Sequence, residues 1–227
     1  MRASNTMIGW LQAAPLAIIL GGFLVIPIIM IVVVSFWGAT EWSIYPAFQF
    51  DNYEFLFSSW VTYSVFLKTF KYALVTWALT LLIGFTVAYF LAFHVRKLPW
   101  QIALFLLCTV PFWTSNIIRM ISWIPFLGRN CIANQTLLSW GIVDEPVEWL
   151  LLSDFSVILA FDHLYTLFMV VPIFNSMMRI DRSLLEAATD AGANGLQTLW
   201  NVVIPLCKPG IMIGTILVVT LVMGDFI

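Results

Sequence analysis

The sequence predicts an all-α integral membrane protein, and three observations carry that expectation. Apolar residues make up 62% of the chain and charged residues 10%, against about 45–50% and about 25% in soluble domains. Residues 3–40, 72–93, 98–118 and 209–224 contain no Asp, Glu, Lys or Arg. About 20 apolar residues span a hydrocarbon core, so the first three runs suffice for a helix and the fourth nearly does. Basic residues also segregate. Segment 37–67 holds Glu41, Asp51 and Glu54 but no Lys or Arg, whereas Arg2, Arg96, Lys97, Arg179, Arg182 and Lys208 fall on the opposite side. That bias places the amino terminus in the cytoplasm. Lys68, Lys71 and Arg129 dissent, at outer helix ends where long side chains snorkel.

Taken in order, the first span is expected near 14–36. It exceeds the about 7–15 apolar residues of a signal peptide and is read as an uncleaved helix. An outer loop over 37–67 follows, so the first division of the chain is 1–67 and the second 68–227. A second span near 69–93 returns to the inner turn "HVRKLP", and a third near 100–123 leads outward. Segment 125–153, with "GRN" and "GIVDEP", reads as turns and short interfacial helices. A fourth span, 155–178, is interrupted by Asp162, and a fifth begins near Gly210. Cys108, Cys131 and Cys207 fall at a span, outside and inside, an arrangement that permits no disulfide within the chain.

Nucleotide-loop, His-Glu-x-x-His and Gly-x-Ser-x-Gly patterns are absent, and His94 and His163 are the only histidines. If ATP drives this protein, another chain binds it. A secondary transporter or channel is the alternative class, but no inverted repeat or pair of broken helices is visible. A membrane-embedded enzyme would need clustered catalytic residues.

The inner segment "LLEAATDAGANGLQTLWNVVIPLCKPG" is alanine-rich and mixed in character. Ser183 with Glu186 makes a capping box, Gly192 can end that helix at positive φ, and Asn194 with Gln197 offers a second cap. Proline lacks an amide, so the second helix is expected to stop before Pro205. Leu184, Leu185, Leu196, Leu199 and Trp200 exceed what a solvated loop exposes; they either pack on the protein's own inner ends or dock in a partner's groove.

"EAATDAG", followed after nine residues by "VVIP", resembles the coupling motif of binding-protein-dependent ABC importer permeases: Glu186, Ala187, Ala188, Gly192 and Pro205 match it, with Val202 and Ile204 as conservative variants. "FDNYEFLF", "AYFLAF", "PFWTSNIIRMISWIPFLGRN", "GIVDEP", "PLCKPGI" and "GDF" are similar to the spermidine and putrescine branch. "FDHLYTLFMVVP" departs from it at Asp162, His163 and Leu167, and Cys131 replaces an expected glycine.

The resemblance implies a type I ABC importer permease-like helical bundle of about six spans. This sequence supplies five at most, so the last outer loop and helix are expected to be missing. It further implies a second permease subunit, two cytoplasmic ATPase subunits that bind ATP and Mg, and a periplasmic substrate-binding protein that delivers a polyamine or related small cationic solute. This chain would be a transport subunit of the bacterial inner membrane with no cofactor and no catalytic or metal site of its own, in contact with lipid and not with nucleic acid. Residues 179–208 would be the loop seated in the ATPase, with Glu186 facing it.

Three residues are candidates for the substrate path. Asp162 lies about nine residues into its helix, roughly 13 Å deep, where a carboxylate costs about 2.5–3.5 kcal/mol and faces a cavity or a partner. It either bonds His163, a hydroxyl or the partner permease, or attracts a cationic substrate together with Asp225. Arg119, near the outer face, either reaches headgroups or an outer acid, or lines the path.

Overall fold

The computed structural model describes residues 2–225 apart from 41, 130, 144, 148, 149 and 152, with side chains from residue 12 onward. Glu41, Asp144 of "GIVDEP" and the Arg2 side chain lie outside the described residues. Among the described residues four helices are long and apolar enough to cross a membrane, or five if one bent pair is a single span. The chain divides into two compact units, Met1–Val65 and Phe66–Ile227.

In the first unit α1 (Arg2–Ser35) contains the span Gln12–Ser35, whose apolar window buries nothing within the protein. A two-stranded antiparallel ribbon, β1 (Gly38–Ala39) with β2 (Ile44–Tyr45), and the short helix α2 (Asp51–Ser58) follow. The Asn-Tyr pair of "FDNYEFLF" holds this segment. Asn52 Nδ2 donates to Ser35 O at 3.0 Å and Trp37 O at 2.9 Å, satisfying carbonyls stranded at the end of α1. The Tyr53 hydroxyl lies 2.6 Å from Ser35 Oγ, and Phe36 packs against Phe48, Phe50 and Tyr53. The helix α3 (Trp60–Tyr89) begins here and runs into the second unit, where a π turn, Phe90–His94, ends it.

The third span differs from expectation. Instead of one helix over 100–123, α4 (Leu98–Thr109) tightens into a 3₁₀ turn, Val110–Trp113, and Thr114 and Ser115 are extended. The chain then bends by 91° into α5 (Asn116–Ile121), α6 (Ile124–Leu127) and α7 (Ile132–Ser139). Pro111 removes one amide at the break, and a proline breaks helical hydrogen bonding wherever it stands past the first turn. Buried Asn134 fastens the outer segment: its side chain donates to Gly128 O and Val147 O and accepts from the Val147 amide.

The helix α8 (Asp154–Met177) is the central element, with Phe161, Leu164, Met169, Ile173 and Met177 almost fully enclosed. It packs along α11 (Ile204–Gly224), which supplies Cys207, Val218 and Val222. Helices in lipid associate through close packing and not through escape from water. Gly210 provides that closeness, since an added Cβ there would overlap Pro172 O and the Ser176 hydroxyl. Polar ties add to it. Trp77 Nε1 donates to Thr215 Oγ1 at 2.9 Å, and Lys71 pairs with Asp154 at 2.5 Å instead of merely snorkelling. Buried Gln101 donates to Leu91 O within the π turn of α3. Cys108, Cys131 and Cys207 are free thiols.

The fifth span also begins earlier than Gly210. It extends from α10 (Gly195–Thr198) through a second π turn, Leu199–Val203, directly into α11. The helix therefore does not stop before Pro205. The amide of Ile204 reaches back five residues to Leu199 O, so the wider turn sets a break in the hydrogen-bond ladder where proline has no donor to offer.

Candidate functional site

The inner loop that the sequence singles out, 179–208, holds two short helices. Its first helix, α9 (Arg182–Asp190), is capped by Asp181, whose carboxylate accepts the Ser183 amide at 3.0 Å. Capping therefore does not come from Ser183 with Glu186. Both arrangements satisfy an open amide, but the chain enters the helix two residues earlier. The amide, then the hydroxyl, of Ser183 holds the Asp181 carboxyl below the ordinary carboxylate range. Gly192 has φ +82 and ends the turn as expected. The Asn194–Gln197 capping box is present in both directions at 2.8 Å.

This geometry leaves Glu186 and Ala187 exposed and Ala188 intermediate, on a strongly amphipathic helix. Leu184, Leu196 and Trp200 are 47%, 69% and 66% exposed. Leu185 and Leu199 instead pack against the core and anchor the loop to it. Of these apolar residues, Leu185 and Leu199 thus pack on the protein's own inner end, while Leu184, Leu196 and Trp200 stay exposed. Pro205 stands at the start of α11, just behind the loop.

Beside α8 the candidate path residues separate. Asp225 and Tyr165, whose hydroxyl donates to the Asp225 carboxylate, line a cavity of about 340 Å³ with Phe112, Asn116, Phe168 and Thr220. Arg119 and His163 line a neighbouring cleft of about 300 Å³. Arg119 is 7% exposed, bonds Asn116 Oδ1, and has no partner for Nε among the described residues. Among the described residues it pairs with no acid, and its burial turns it into the protein.

Asp162 does not line these cavities. It is 9% exposed, and its Oδ1 is buried without a partner among the described residues. The expected bond to His163 is not made: His163 Nδ1 accepts from Trp123 Nε1 at 3.2 Å. A third cleft of about 590 Å³ runs toward the inner end, lined by Pro172, Asn175, Ser176, Arg179, Ile213 and both Phe112 and Phe168. Tyr165, Asn116, Phe112 and Phe168 were not singled out as site residues. Tyr165 is revealed by its bond to Asp225 across 60 residues of sequence, and Asn116, Phe112 and Phe168 by the cavity they line with it.

No family model matches the chain. It is 34% identical over 224 residues to the spermidine/putrescine transport system permease protein PotB of Escherichia coli (strain K12), covering 97% of this chain and 76% of that protein. The Haemophilus influenzae protein of the same name is 33% identical over 206 residues, covering 90% and 70%. Among solved structures, a bacterial ABC transporter involved in the import of the acidic polysaccharide alginate superposes with a TM-score of 0.67 at 21% identity, covering 98% of this chain and 77% of that one. That likeness concerns the fold. The identity and coverage settle the rest: this is a multi-pass inner-membrane protein, and it belongs to the ABC importer permease family, in the branch of the PotB permeases.

Proposed function

We propose that this chain is one of a pair of permease subunits that import a polyamine, such as spermidine or putrescine, delivered by a periplasmic binding protein. Two cytoplasmic ATPase chains bind ATP with its magnesium ion and hydrolyse it; this chain breaks no bond. The observation that carries the coupling role is the inner loop, where exposed Leu184, Leu196 and Trp200 flank Glu186 on a capped, amphipathic scaffold anchored by Leu185 and Leu199. Closure of the ATPases on ATP displaces this scaffold as one body. Through the continuous helix from Gly195 to Gly224 the displacement moves α11 against α8. Coupling of this kind needs an element with two discrete positions.

Substrate chemistry follows from the outer cavity. A carboxylate, Asp225, is set there among a tyrosine and two phenylalanines. Carboxylates pair with ammonium groups, and aromatic faces attract cations and cover methylenes. The test is reconstitution of the chain with its ATPase, second permease and binding protein in proteoliposomes. ATP-dependent accumulation of a polyamine, and its loss with Glu186→Ala together with weaker ATPase copurification, is the expected result. Accumulation of neutral solutes but not of polyamines overturns the substrate assignment. Polyamine uptake without any ATPase chain overturns the coupling, and favours a secondary transporter.

A further inference from the structure

The outer cavity and the inner cleft share a wall made of two rings. Phe112 and Phe168 line both spaces, with ring centroids 5.4 Å apart and planes at 72°. Outward of the pair lie Asn116, Tyr165, Thr220 and Asp225; inward of it lie Pro172, Asn175, Ser176, Arg179 and Ile213. We propose that Phe112 and Phe168 are the barrier that closes the path between an outer and an inner chamber. An edge-to-face aromatic pair offers a hydrated cation no replacement for its water, and an apolar constriction of this kind gates by excluding water.

The backbone beneath each ring can be reset with little loss of hydrogen bonding. Phe112 follows Pro111 in the 3₁₀ turn, directly before the extended residues Thr114 and Ser115. Phe168 stands four residues before Pro172 in α8, so its carbonyl is the one that Pro172 has no amide to bond. Both halves of the barrier thus sit at proline interruptions. A shift of α11 against α8 moves the wall that Ile213 and Leu217 contribute to the inner cleft, and Thr220 and Leu221 to the outer one.

This inference rests on the reading of the cavities beside α8 as the path, and not on which solute is carried. It is tested in proteoliposomes that hold the complex with its ATPase and second permease. Cys108, Cys131 and Cys207 are replaced by serine or alanine, and a thiol is introduced as Thr220→Cys in the outer chamber or Ile213→Cys in the inner one. A membrane-impermeant maleimide is applied from the cytoplasmic side without ATP. The inner thiol is expected to label in every background. The outer thiol stays unlabelled behind the intact ring pair and reacts about tenfold or more faster once Phe112→Ala or Phe168→Ala opens the barrier, while Phe112→Leu stays near the parent rate.

Should an alanine variant not copurify with the ATPase, Phe112→Val and Phe168→Val carry the same test with the helix surface kept filled. Equal labelling of Thr220→Cys in all backgrounds, or no acceleration by the smaller side chains, overturns the barrier. The expected labelling in a complex that takes up no polyamine leaves the barrier standing and overturns the substrate assignment alone.

Discussion

The hydroxyl of Tyr165 on α8 donates a hydrogen bond to the carboxylate of Asp225, just past the outer end of α11. The bond ties the two helices across the cavity that also contains Asn116 and Thr220. It orients the carboxylate within that cavity, where an ammonium group would meet it. Asp225→Asn is expected to raise KM for polyamine uptake about tenfold or more, the scale of one hydrogen bond to a charged group. Tyr165→Phe keeps the charge and loses only its orientation, so its effect is smaller. The readout is initial uptake rate against polyamine concentration. Equal KM for the parent and Asp225→Asn places the carboxylate off the path.

A second prediction concerns the turn between α9 and α10. Gly192 has φ +82, with open space where a Cβ would point. A substitution there therefore meets backbone strain and no clash. Valine in a left-handed conformation costs about 1–2 kcal/mol, and it would shift the loop out of its present shape. Gly192→Val is expected to insert normally and to lose most ATP-dependent uptake, whereas Gly192→Asn, which tolerates this region, retains it. Uptake by Gly192→Val at the parent rate would sink the idea.

A third prediction follows from the Asp181 cap. Its carboxyl titrates below its ordinary value of 3.8 because Ser183 donates to the charged form. The folded pKa is depressed, so the cap's stabilisation is fully present above 3.8 and is lost as pH falls through the lower folded value. Amide protection over residues 182–190, corrected for intrinsic exchange rates, should stay level from neutral pH down to about 3.8 and fall below it, until the lower folded value is passed. Asp181→Ala should reduce protection at neutral pH and abolish the acid step. An unchanged acid step in Asp181→Ala would assign it to another group.

These residues also mark where the sequence is legible. Apolar runs place the span Gln12–Ser35 within α1, the inner end of α3, and α8 despite Asp162, each to within a few residues, because a bilayer filters composition over a whole span. The Asn194 cap and the Gly192 turn are local and were readable from neighbouring residues. The break at Thr114–Ser115 lies inside an apolar run, where lipid and protein interior favour the same residues and no periodicity marks a bend. Pro205 misled because the proline rule assumes an α-helical ladder, and the π turn Leu199–Val203 changes that ladder. Among the candidate path residues, Asp225 is visible as a charge, but its partner Tyr165 belongs to another helix and only the packing of α8 on α11 brings them together.

Asp162 supplies the last prediction. Its carboxyl lies inside α8, 9% exposed, with Oδ1 lacking any partner among the described residues. Thr166 Oγ1 bonds only the Asp162 backbone carbonyl, and His163 is engaged by Trp123. A buried polar group without its hydrogen bonds costs about 1–3 kcal/mol, so an apolar residue of similar volume should be better accommodated. Asp162→Leu is therefore expected to raise the thermal unfolding midpoint of the assembled complex, in contrast to Asp225→Asn, and to leave the KM for polyamine unchanged. Asp162→Asn keeps a polar group in the same place and should move the midpoint less than leucine does. The two variants are measured together, by thermal unfolding of the purified complex and by uptake in proteoliposomes. A lower midpoint for Asp162→Leu would mean that a partner subunit satisfies this carboxyl, and a raised KM for both variants would put Asp162 back on the substrate path.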